Sequence, residues 1–487
     1  MPAEYAFRHP LIRAVAYESQ LKSDRAYLHR HLAMAIEERH PDSAEENAAL
    51  IAEHYEAAGD LHAAYAWHMR AGSWAIFRDI AAARMSWRKA RQVADRLPDD
   101  DPGQLAMRIE PRTLLCGTAY RFVGGSAEAG FDELRDLCTA AGDQRSLAIG
   151  LAGMVTAYGM NGEGREASQL ATELLRLLES IGDSTWTVGL SFAAMGNNHT
   201  CGETAANLQL AQRVIDLADG DPTMGNLLFG SPLATAFAFR GVARCCLNIP
   251  GWQSDFQHAH TMARAFHPPV LAATMSTDYL TLIVHEVRLP DASAMRDADE
   301  LLSVAEQSAD DFSLELAQTV RAFILARRDG PERETGLGLL AKIRAAALET
   351  GFYLSFLPVA DIALARGRAR SGDLDGAVEL SRAVVDDVLE SGLWMFLAPA
   401  TAVLAEALLQ RGRYEDLQDA QSAIDRLAAV PTDPGFVMND IWLLRLHALL
   451  DQAVGDEDAY RDYRDRYRAM AKSLGFEGHM AWAEAMT

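Results

Sequence analysis

Glycine recurs at intervals of about twenty residues along two stretches of this chain, and that spacing is the strongest constraint on its fold. The glycines of the first stretch are Gly142, Gly162, Gly182 and Gly202, and those of the second are Gly351, Gly372, Gly392 and Gly412. The residues between them follow the spacing of a helix face, as in Leu170, Leu174 and Leu178. A turn about every twenty residues, with a helix between turns, predicts stacked helix pairs with a period near 40.

Two of these segments share further detail. Pro358 follows Gly351 by seven residues and Pro399 follows Gly392 by seven, and each proline precedes an apolar run. The two copies are offset by 41 residues, which is longer than the common tetratricopeptide repeat of about 34 residues. No segment shows the alternation typical of a strand. We therefore predict an all-α protein, a right-handed superhelical solenoid of tetratricopeptide-like helix pairs.

The charge of the chain limits its partners. The 487 residues include 45 Lys and Arg against 68 Asp and Glu, which gives a net charge of −23. Such a surface repels nucleic acid and anionic membranes, so we expect no direct contact with either. Residues 1–92 are neutral, with 12 basic and 12 acidic side chains. The acidic excess therefore lies in residues 93–487.

The cysteines and the hydropathy pattern predict a cytoplasmic protein. The five cysteines form no CxxC pair, and Cys245 and Cys246 are adjacent. An odd number of unclustered cysteines is typical of a reducing compartment, and we interpret the adjacent pair as small apolar helix residues. No run of about eighteen apolar residues is present, which argues against a membrane span.

Two nucleotide-binding motifs can be tested directly. A P-loop needs a lysine directly after a glycine to reach the outer phosphates, and none of the four lysines follows one. Residues 162–167 spell GxGxxA, but a dinucleotide site needs a strand before the motif, and a helix is predicted there. We interpret residues 162–167 as a turn between helices, and we predict no cofactor.

Histidine spacing argues against a metal site. His29 and His31 are two residues apart, as are His258 and His260. On a helix that spacing points the two side chains about 200° apart, so neither pair can chelate one ion. Acidic runs such as residues 99–101 are typical of solvated surface. We predict no metal ligands and no catalytic residues.

Aromatic side chains at 65–87 form one candidate binding surface. Tyr65, Trp67 and Trp74 lie in one predicted helix, and Trp87 lies in the next. On the inner face of a solenoid, Trp67 and Trp74 could anchor a peptide or small ligand. The competing interpretation is that they fill the core between helices, because aromatic side chains dominate buried area.

Residues 7–39 form a second candidate surface, in which basic side chains lie beside an apolar face. The basic residues are Arg8, His9, Arg13, Lys22, Arg25, His29, Arg30 and His31. One interpretation is an amphipathic cap at the end of the solenoid, and the other is a docking surface for a partner protein. We single out Arg8, His9, Arg13, Lys22 and Arg25 as candidate partner-binding residues.

Four segments resemble one family of proteins. Residues 5–39 (YAFRHPLIRAVAYES through LHRHLA) resemble the segment that follows the ATPase module of bacterial multidomain signalling ATPases, and residues 54–90 resemble the start of their helical array. Residues 231–252 (SPLA, RGVAR, PGW) and 473–485 (SLGFEGHMAWAEA) resemble the C-terminal half of actinobacterial, especially mycobacterial, proteins that join a class III adenylate or guanylate cyclase to such an ATPase.

The resemblance implies a division of the chain. Residues 1–40 would be a remnant of the winged-helix-like or linker segment after an ATPase module, residues 41–97 the first helix pairs, and residues 104–487 the main solenoid. The acidic break at residues 97–103 would separate the last two. The cyclase, the ATPase core and the LuxR-type DNA-binding tail of related regulators find no counterpart here, so none of the family's catalytic residues can be placed.

These observations favour a non-enzymatic interaction or sensory scaffold that acts in a bacterial signalling ATPase or cyclase system. Its groove would bind a peptide, a protein or a small effector. The alternative is a component of a nucleotide cyclase or a transcriptional regulator that acts only with separate catalytic or DNA-binding domains. A homo-oligomer is a further possibility, because an uncapped apolar end of a solenoid can pair with itself.

Overall fold

The computed structural model describes residues 10–39, 44–227, 230–308 and 310–486, apart from the side chains of residues 10, 12 and 13. These residues form 25 α-helices and no β-strand. The first eight helices are α1 Pro10–Glu18, α2 Lys22–Arg39, α3 Ala48–Ala57, α4 Leu61–Ala75, α5 Ile80–Ala94, α6 Gln104–Gly117, α7 Gly125–Glu128 and α8 Phe131–Ala141. The all-α prediction is confirmed.

The remaining helices alternate in pairs. The next nine are α9 Gln144–Met160, α10 Gly164–Ile181, α11 Ser184–Thr200, α12 Thr204–Ala218, α13 Pro232–Cys246, α14 Trp252–Ala263, α15 Pro268–Val284, α16 Ala292–Glu306 and α17 Asp311–Ala326. The last eight are α18 Pro331–Thr350, α19 Leu357–Arg370, α20 Leu374–Ser391, α21 Leu397–Arg411, α22 Asp416–Ala428, α23 Val437–Val454, α24 Glu457–Leu474 and α25 Glu477–Ala485. Single 3₁₀ turns at Ala119–Arg121, Leu354–Phe356 and Trp394–Phe396 complete the described elements.

The predicted glycine turns lie at the helix ends. All eight glycines of the two stretches have a φ between +66° and +90°, the left-handed region in which a helix commonly ends. Helices α10, α12, α16, α18, α20, α22 and α24 begin at residues 164, 204, 292, 331, 374, 416 and 457. The period near 40 is therefore confirmed, and residues 162–167 form the turn between α9 and α10.

The two helices of each pair differ in character. The first helices, the odd-numbered ones from α9 to α23, bury a larger share of their residues than the second helices do, and 15 of the 17 residues of α15 are buried. The second helices, the even-numbered ones from α10 to α24, are amphipathic, and only five of the 18 residues of α10 are buried. A helix that is apolar all round must have packing on every side. The first helices therefore form the inside of the stack and the second helices the outside.

The chain forms two compact units. The N-terminal unit contains residues 1–115 and 130–146, and the C-terminal unit contains residues 116–129 and 147–487. The division differs from the predicted boundary at residues 97–103, because α6 packs with the helices before it. The buried guanidinium of Arg112 on α6 lies 2.8 Å from a carboxylate oxygen of Asp95 and 2.8 Å from one of Glu133. These bonds connect the two sides of the predicted break.

The core of the N-terminal unit lies between α3, α4 and α5. Trp87, Ile51 and Ile80 are fully or almost fully buried there. A Cβ atom placed on Gly72 of α4 would lie 2.1 Å from Nε1 of Trp87, so only glycine lets the two helices approach this closely. This close approach through a small residue fits the packing of paired helices.

The C-terminal unit curls so that distant repeats touch. The amide of Glu477 donates to the carbonyl of Val287 at 2.9 Å, and the amide of Gly478 donates to that of Glu286 at 3.0 Å. The amide of Ala205 donates to Oδ2 of Asp433 at 2.7 Å. These partners are about 190 to 230 residues apart, or roughly five repeats. Later repeats of the C-terminal unit are therefore bonded to earlier ones.

Candidate ligand cavity and docking face

The first helices of the C-terminal unit surround a cavity of about 110 Å³, called the inner cavity below. Five successive first helices, α9 to α17, contribute to its wall, together with the 3₁₀ turns at 354–356 and 394–396. The wall therefore draws on segments from residue 155 to residue 396. It can form only where the stack curls enough to bring these segments together.

The larger part of this wall is apolar. Five phenylalanines provide most of it: Phe192, Phe239, Phe312, Phe356 and Phe396. Val155, Met160, Leu280 and Leu316 fill the gaps between the rings. Gly159 and Gly196 carry no side chain to occupy the space. An apolar wall with a few polar groups is typical of small-molecule sites.

The polar part of the wall includes several hydroxyl groups that already donate their protons to backbone carbonyls. Thr156 Oγ1 donates to the carbonyl of Ala152 at 2.9 Å, and Thr277 Oγ1 donates to that of Ala273 at 2.8 Å. Thr235 Oγ1 donates to the carbonyl of its own helix one turn earlier, at 3.2 Å. A hydroxyl that donates its single proton keeps lone pairs to accept one. These groups therefore face the cavity as hydrogen-bond acceptors.

His199 is the only imidazole in this wall. Its Nε2 lies 3.2 Å from Oγ1 of Thr281, and its Nδ1 has no hydrogen-bond partner among the described residues. Burial, and to a smaller extent the neighbouring His285, lowers the pKa of His199 to about 4. The ring is therefore neutral near pH 7.

The described wall of the inner cavity offers a histidine beside a threonine hydroxyl, but no charged side chain. None of the residues in the described wall is Asp, Glu, Lys or Arg. Thr281 and His199 resemble the start of a catalytic triad, but no carboxylate holds Nδ1 of His199 in the described structure. What this arrangement can do is bind an uncharged molecule.

No residue of the inner cavity was singled out from the sequence. The available signal was the alternation of helices that are apolar all round with helices that are amphipathic. Uniformly apolar helices such as α15 indicate an enclosed inner layer. The amphipathic stretch at 165–181, which the sequence made most visible, is α10 and lies on the outside.

The part of the predicted basic strip that the structure describes lies on α1 and α2, beside exposed apolar side chains. Arg8 and His9 lie outside the described residues, and Arg13 lies on α1 with its side chain outside them. Lys22 begins α2 and is exposed. The guanidinium of Arg25 is half-buried over the ring of Tyr17, 4.7 Å from its centroid.

Large apolar side chains on these two helices and in the turn between them face solvent. Leu11 is 68% exposed, Val15 67% and Leu21 70%, although residues of this type are normally buried. Of the 18 residues of α2, only Ala33 is buried. The α1–α2 face is defined here by Leu11, Val15, Leu21, Tyr27, Leu28 and Leu32. Several large apolar side chains exposed within one short segment are a feature of interaction sites.

The two candidate tryptophans lie on α4. Trp67 is buried in the core of the N-terminal unit, with the guanidinium of Arg70 3.7 Å from its ring centroid. Trp74 is half-buried, with Arg78 4.7 Å from its ring centroid. The burial of Trp67 favours the interpretation that it is a core residue, and it leaves little surface to contact a partner. Trp74 stays a candidate for partner binding.

The described part of the chain offers neither a metal site nor a membrane span. No group of three or more His, Cys, Asp or Glu side chains there could hold a metal ion. No helix among those residues has both the length and the apolar character to cross a bilayer. None of the five cysteines forms a disulfide, and burial raises the pKa of the Cys246 thiol to about 12.

Comparison with known proteins gives little beyond this geometry. No family model matches the chain, and no curated protein matches it. Among solved structures, the chain is similar to the crystal structure of yeast Tom70, with 13% identity over 96% of each chain and a TM-score of 0.34. A superposition this loose carries no information about function.

Proposed function

We propose that this chain is a non-enzymatic sensory scaffold that binds a small effector in its inner cavity and a partner protein on its α1–α2 face. The observation that carries the proposal is the inner cavity, an apolar and uncharged space built by five successive first helices. A molecule bound there would contact segments spread over more than 200 residues. Its binding would therefore favour one curvature of the stack over others.

The absence of charged side chains from the described wall of the inner cavity supports a binding role. Its described wall holds no ionisable group other than His199, which burial keeps neutral near pH 7. Incubation of the purified chain with ATP or GTP and Mg²⁺ or Mn²⁺ is expected to yield no cyclic nucleotide. Formation of cyclic nucleotide above that of a heat-denatured control would contradict the non-enzymatic role.

The exposed α1–α2 face supports a docking role, and the family resemblance suggests the partner. In the proteins that residues 5–39 resemble, this segment follows an ATPase module. We therefore propose that the partner is an ATPase or class III cyclase module of a bacterial signalling system. The alternative is a component of a cyclase or transcriptional regulator that needs separate catalytic or DNA-binding domains.

The docking proposal is tested by placing charge on the α1–α2 face. The double variant Leu21→Asp and Leu28→Asp is compared with Met85→Asp, which changes an exposed apolar residue of α5 in the same unit. Titration against a purified ATPase module of the resembled family should show binding about tenfold weaker for the double variant only. Equal binding by all three proteins would contradict the proposal.

Self-association is the competing use of the same face. Sedimentation of the wild-type chain at two concentrations would reveal it. If a dimer forms and Leu21→Asp with Leu28→Asp dissociates it, the face binds a second copy. The proposed ATPase or cyclase partner would then be wrong.

A further inference from the structure

We propose that the inner cavity binds a small, uncharged, single-ring molecule that carries at least one hydrogen-bond donor. The inference rests on the proposed effector function and goes further by naming the chemical class of the effector. It follows from three properties of the wall, which are its lack of charge, its size and the direction of its hydrogen-bonding groups.

The first property excludes charged ligands. The described wall contains no Asp, Glu, Lys or Arg side chain, and its one imidazole is neutral near pH 7. An ion moved into apolar surroundings without a partner loses its hydration and gains nothing in return. Phosphorylated metabolites, nucleotides, amino acids and carboxylates are therefore poor candidates.

The second property limits the size of the ligand. An engineered cavity of about 150 Å³ lined by Leu, Ile and Phe takes up benzene. The inner cavity, at about 110 Å³, has room for one ring at most. Several wall residues are half-exposed, among them Met160, Thr200 and Phe356. A small substituent on the ring could extend towards these residues.

The third property, the direction of the hydrogen bonds made by the wall, favours a ligand that carries a donor. Thr156, Thr235 and Thr277 all give their proton to carbonyls of their own helices. Their remaining capacity is to accept, so a ligand with a donor can gain a hydrogen bond that an apolar ligand of the same size cannot make. A ligand with an O–H or N–H group would satisfy one of them.

Four probes separate these properties in a calorimetric titration of the full chain. Phenol and toluene have the same number of heavy atoms, but only phenol has a donor, while benzoate and benzylammonium carry opposite charges. We expect phenol to bind about three- to tenfold tighter than toluene, as one hydrogen bond would allow. We expect no measurable binding of benzoate or benzylammonium.

Two leucine variants show whether the probes bind in the inner cavity. Ala273→Leu adds three carbon atoms at a half-exposed wall position on α15, and Ala206→Leu adds the same atoms at an exposed position on α12. Ala273→Leu should weaken phenol and toluene binding about tenfold or more, because it fills the space. Ala206→Leu should bind both as the wild type does.

The hydroxyl groups are tested one at a time with the near-isosteric changes Thr156→Val, Thr235→Val and Thr277→Val. At least one of them should remove the advantage of phenol over toluene while toluene binds unchanged. If phenol keeps its advantage in all three variants, or never has one, the assignment of the threonines as acceptors is wrong.

The outcomes separate this inference from the proposed function. If benzoate or benzylammonium binds as tightly as phenol and Ala273→Leu abolishes it, the cavity is an effector site but the ligand class is wrong. If no probe binds the wild-type chain, both the ligand class and the effector role are overturned.

Discussion

At the scale of single residues, one helix contains a matched pair of glycines that tests how tightly the stack is packed. A Cβ atom on Gly336 of α18 would lie 2.2 Å from the amide nitrogen of Ala326, whereas one on Gly338 would meet nothing within 4 Å. The two positions lie two residues apart on the same helix. Gly336 is buried against the backbone of α17, whereas Gly338 is exposed.

The Gly336→Ala variant is expected to lose about 1–3 kcal/mol of unfolding free energy, because backbone must move to admit the methyl group. Gly338→Ala should gain about 0.5–1 kcal/mol, because alanine lowers the entropy of the unfolded chain. Urea unfolding followed by circular dichroism measures both changes. Equal effects of the two substitutions would show that α17 and α18 are not in close contact.

A buried carboxylate gives a second prediction at this scale. Glu286 is 1% exposed, and its oxygens contact the guanidinium groups of Arg327 and Arg366, the latter at 2.6 Å. Burial lowers the pKa of Arg327 to about 10 even beside this carboxylate. The Glu286→Gln variant would leave two buried cations without a counter-charge.

We expect Glu286→Gln to cost about 3–5 kcal/mol of unfolding free energy, as the loss of one partner of a buried ion pair does. The control is Glu332→Gln, which removes the exposed partner of Arg328 in the same unit. That change should cost less than about 0.5 kcal/mol. A loss below 1 kcal/mol for Glu286→Gln would mean that water reaches the two arginines.

At the scale of elements, α11, α15 and α25 each contribute a buried histidine to one region of the C-terminal unit. His285, directly after α15, contacts the carbonyl of Met395 through Nε2 at 2.8 Å, and Nε2 of His479 lies 3.1 Å from the carbonyl of His285. Burial is the main cause that lowers the pKa of His199 and His285 to about 4 and that of His479 well below its usual value.

These histidines predict a loss of stability in mild acid. Below about pH 6.5 these histidines become protonated in the unfolded chain, whereas in the folded chain His199 and His285 are not protonated until about pH 4. Their contribution to the free energy of unfolding is therefore complete above about pH 6.5 and falls between about pH 6.5 and pH 4. At pH 5 each of His199 and His285 should cost up to about 2 kcal/mol. Unfolding free energies measured in urea at pH 7 and pH 5 would show this difference.

Buried acids such as Asp278 also change the stability with pH, but in the opposite direction, because burial raises the pKa of Asp278. Histidine variants separate the contribution of the histidines from that of such acids. His199→Gln should have a smaller difference between pH 7 and pH 5 than the wild type. His258→Gln, at an exposed position on α14, should keep the full difference. An unchanged difference in His199→Gln would mean that His199 is protonated in the folded state.

At the scale of the whole molecule, α25 closes the curl of the C-terminal unit. Its first residue, Glu477, accepts from the amide of Leu289 through Oε2 at 2.9 Å, and its backbone amides bind the carbonyls of residues 286 and 287. Trp482 of the same helix lies under the guanidinium of Arg445, 4.2 Å from ring centroid to carbon. The last helix is thus bonded to the middle of the chain.

A stop codon in place of Phe476 would remove α25, and the amides of residues 285–289 should then exchange with solvent at least about tenfold faster. The reason is that the truncation removes the acceptor of the Leu289 amide and the groups that cover its neighbours. Hydrogen exchange followed by mass spectrometry measures this change. Helix α10 provides the internal control, and its amides should exchange as in the full chain. Unchanged exchange at residues 285–289 would mean that α25 does not cover them.

The helices and the turns between them could be predicted from the sequence, because they depend on local sequence pattern. The predicted turn glycines Gly182 and Gly392 directly follow the last residues of α10 and α20. The inner cavity could not be predicted, because it depends on which first helices meet across the curl. Nothing in the sequence near Phe192 indicates that Phe396 lies in the same wall.

By itself, therefore, the sequence determined the helices, their turns and the period near 40, because each depends on residues within a few turns of one another. Only the tertiary structure decided where the inner cavity lies, that its described wall carries no charged side chain, and that the described residues leave the α1–α2 face exposed. The physical reason is that curvature accumulates from small rotations between repeats. Contacts such as that between Glu477 and Val287, across almost five repeats, have no local signature.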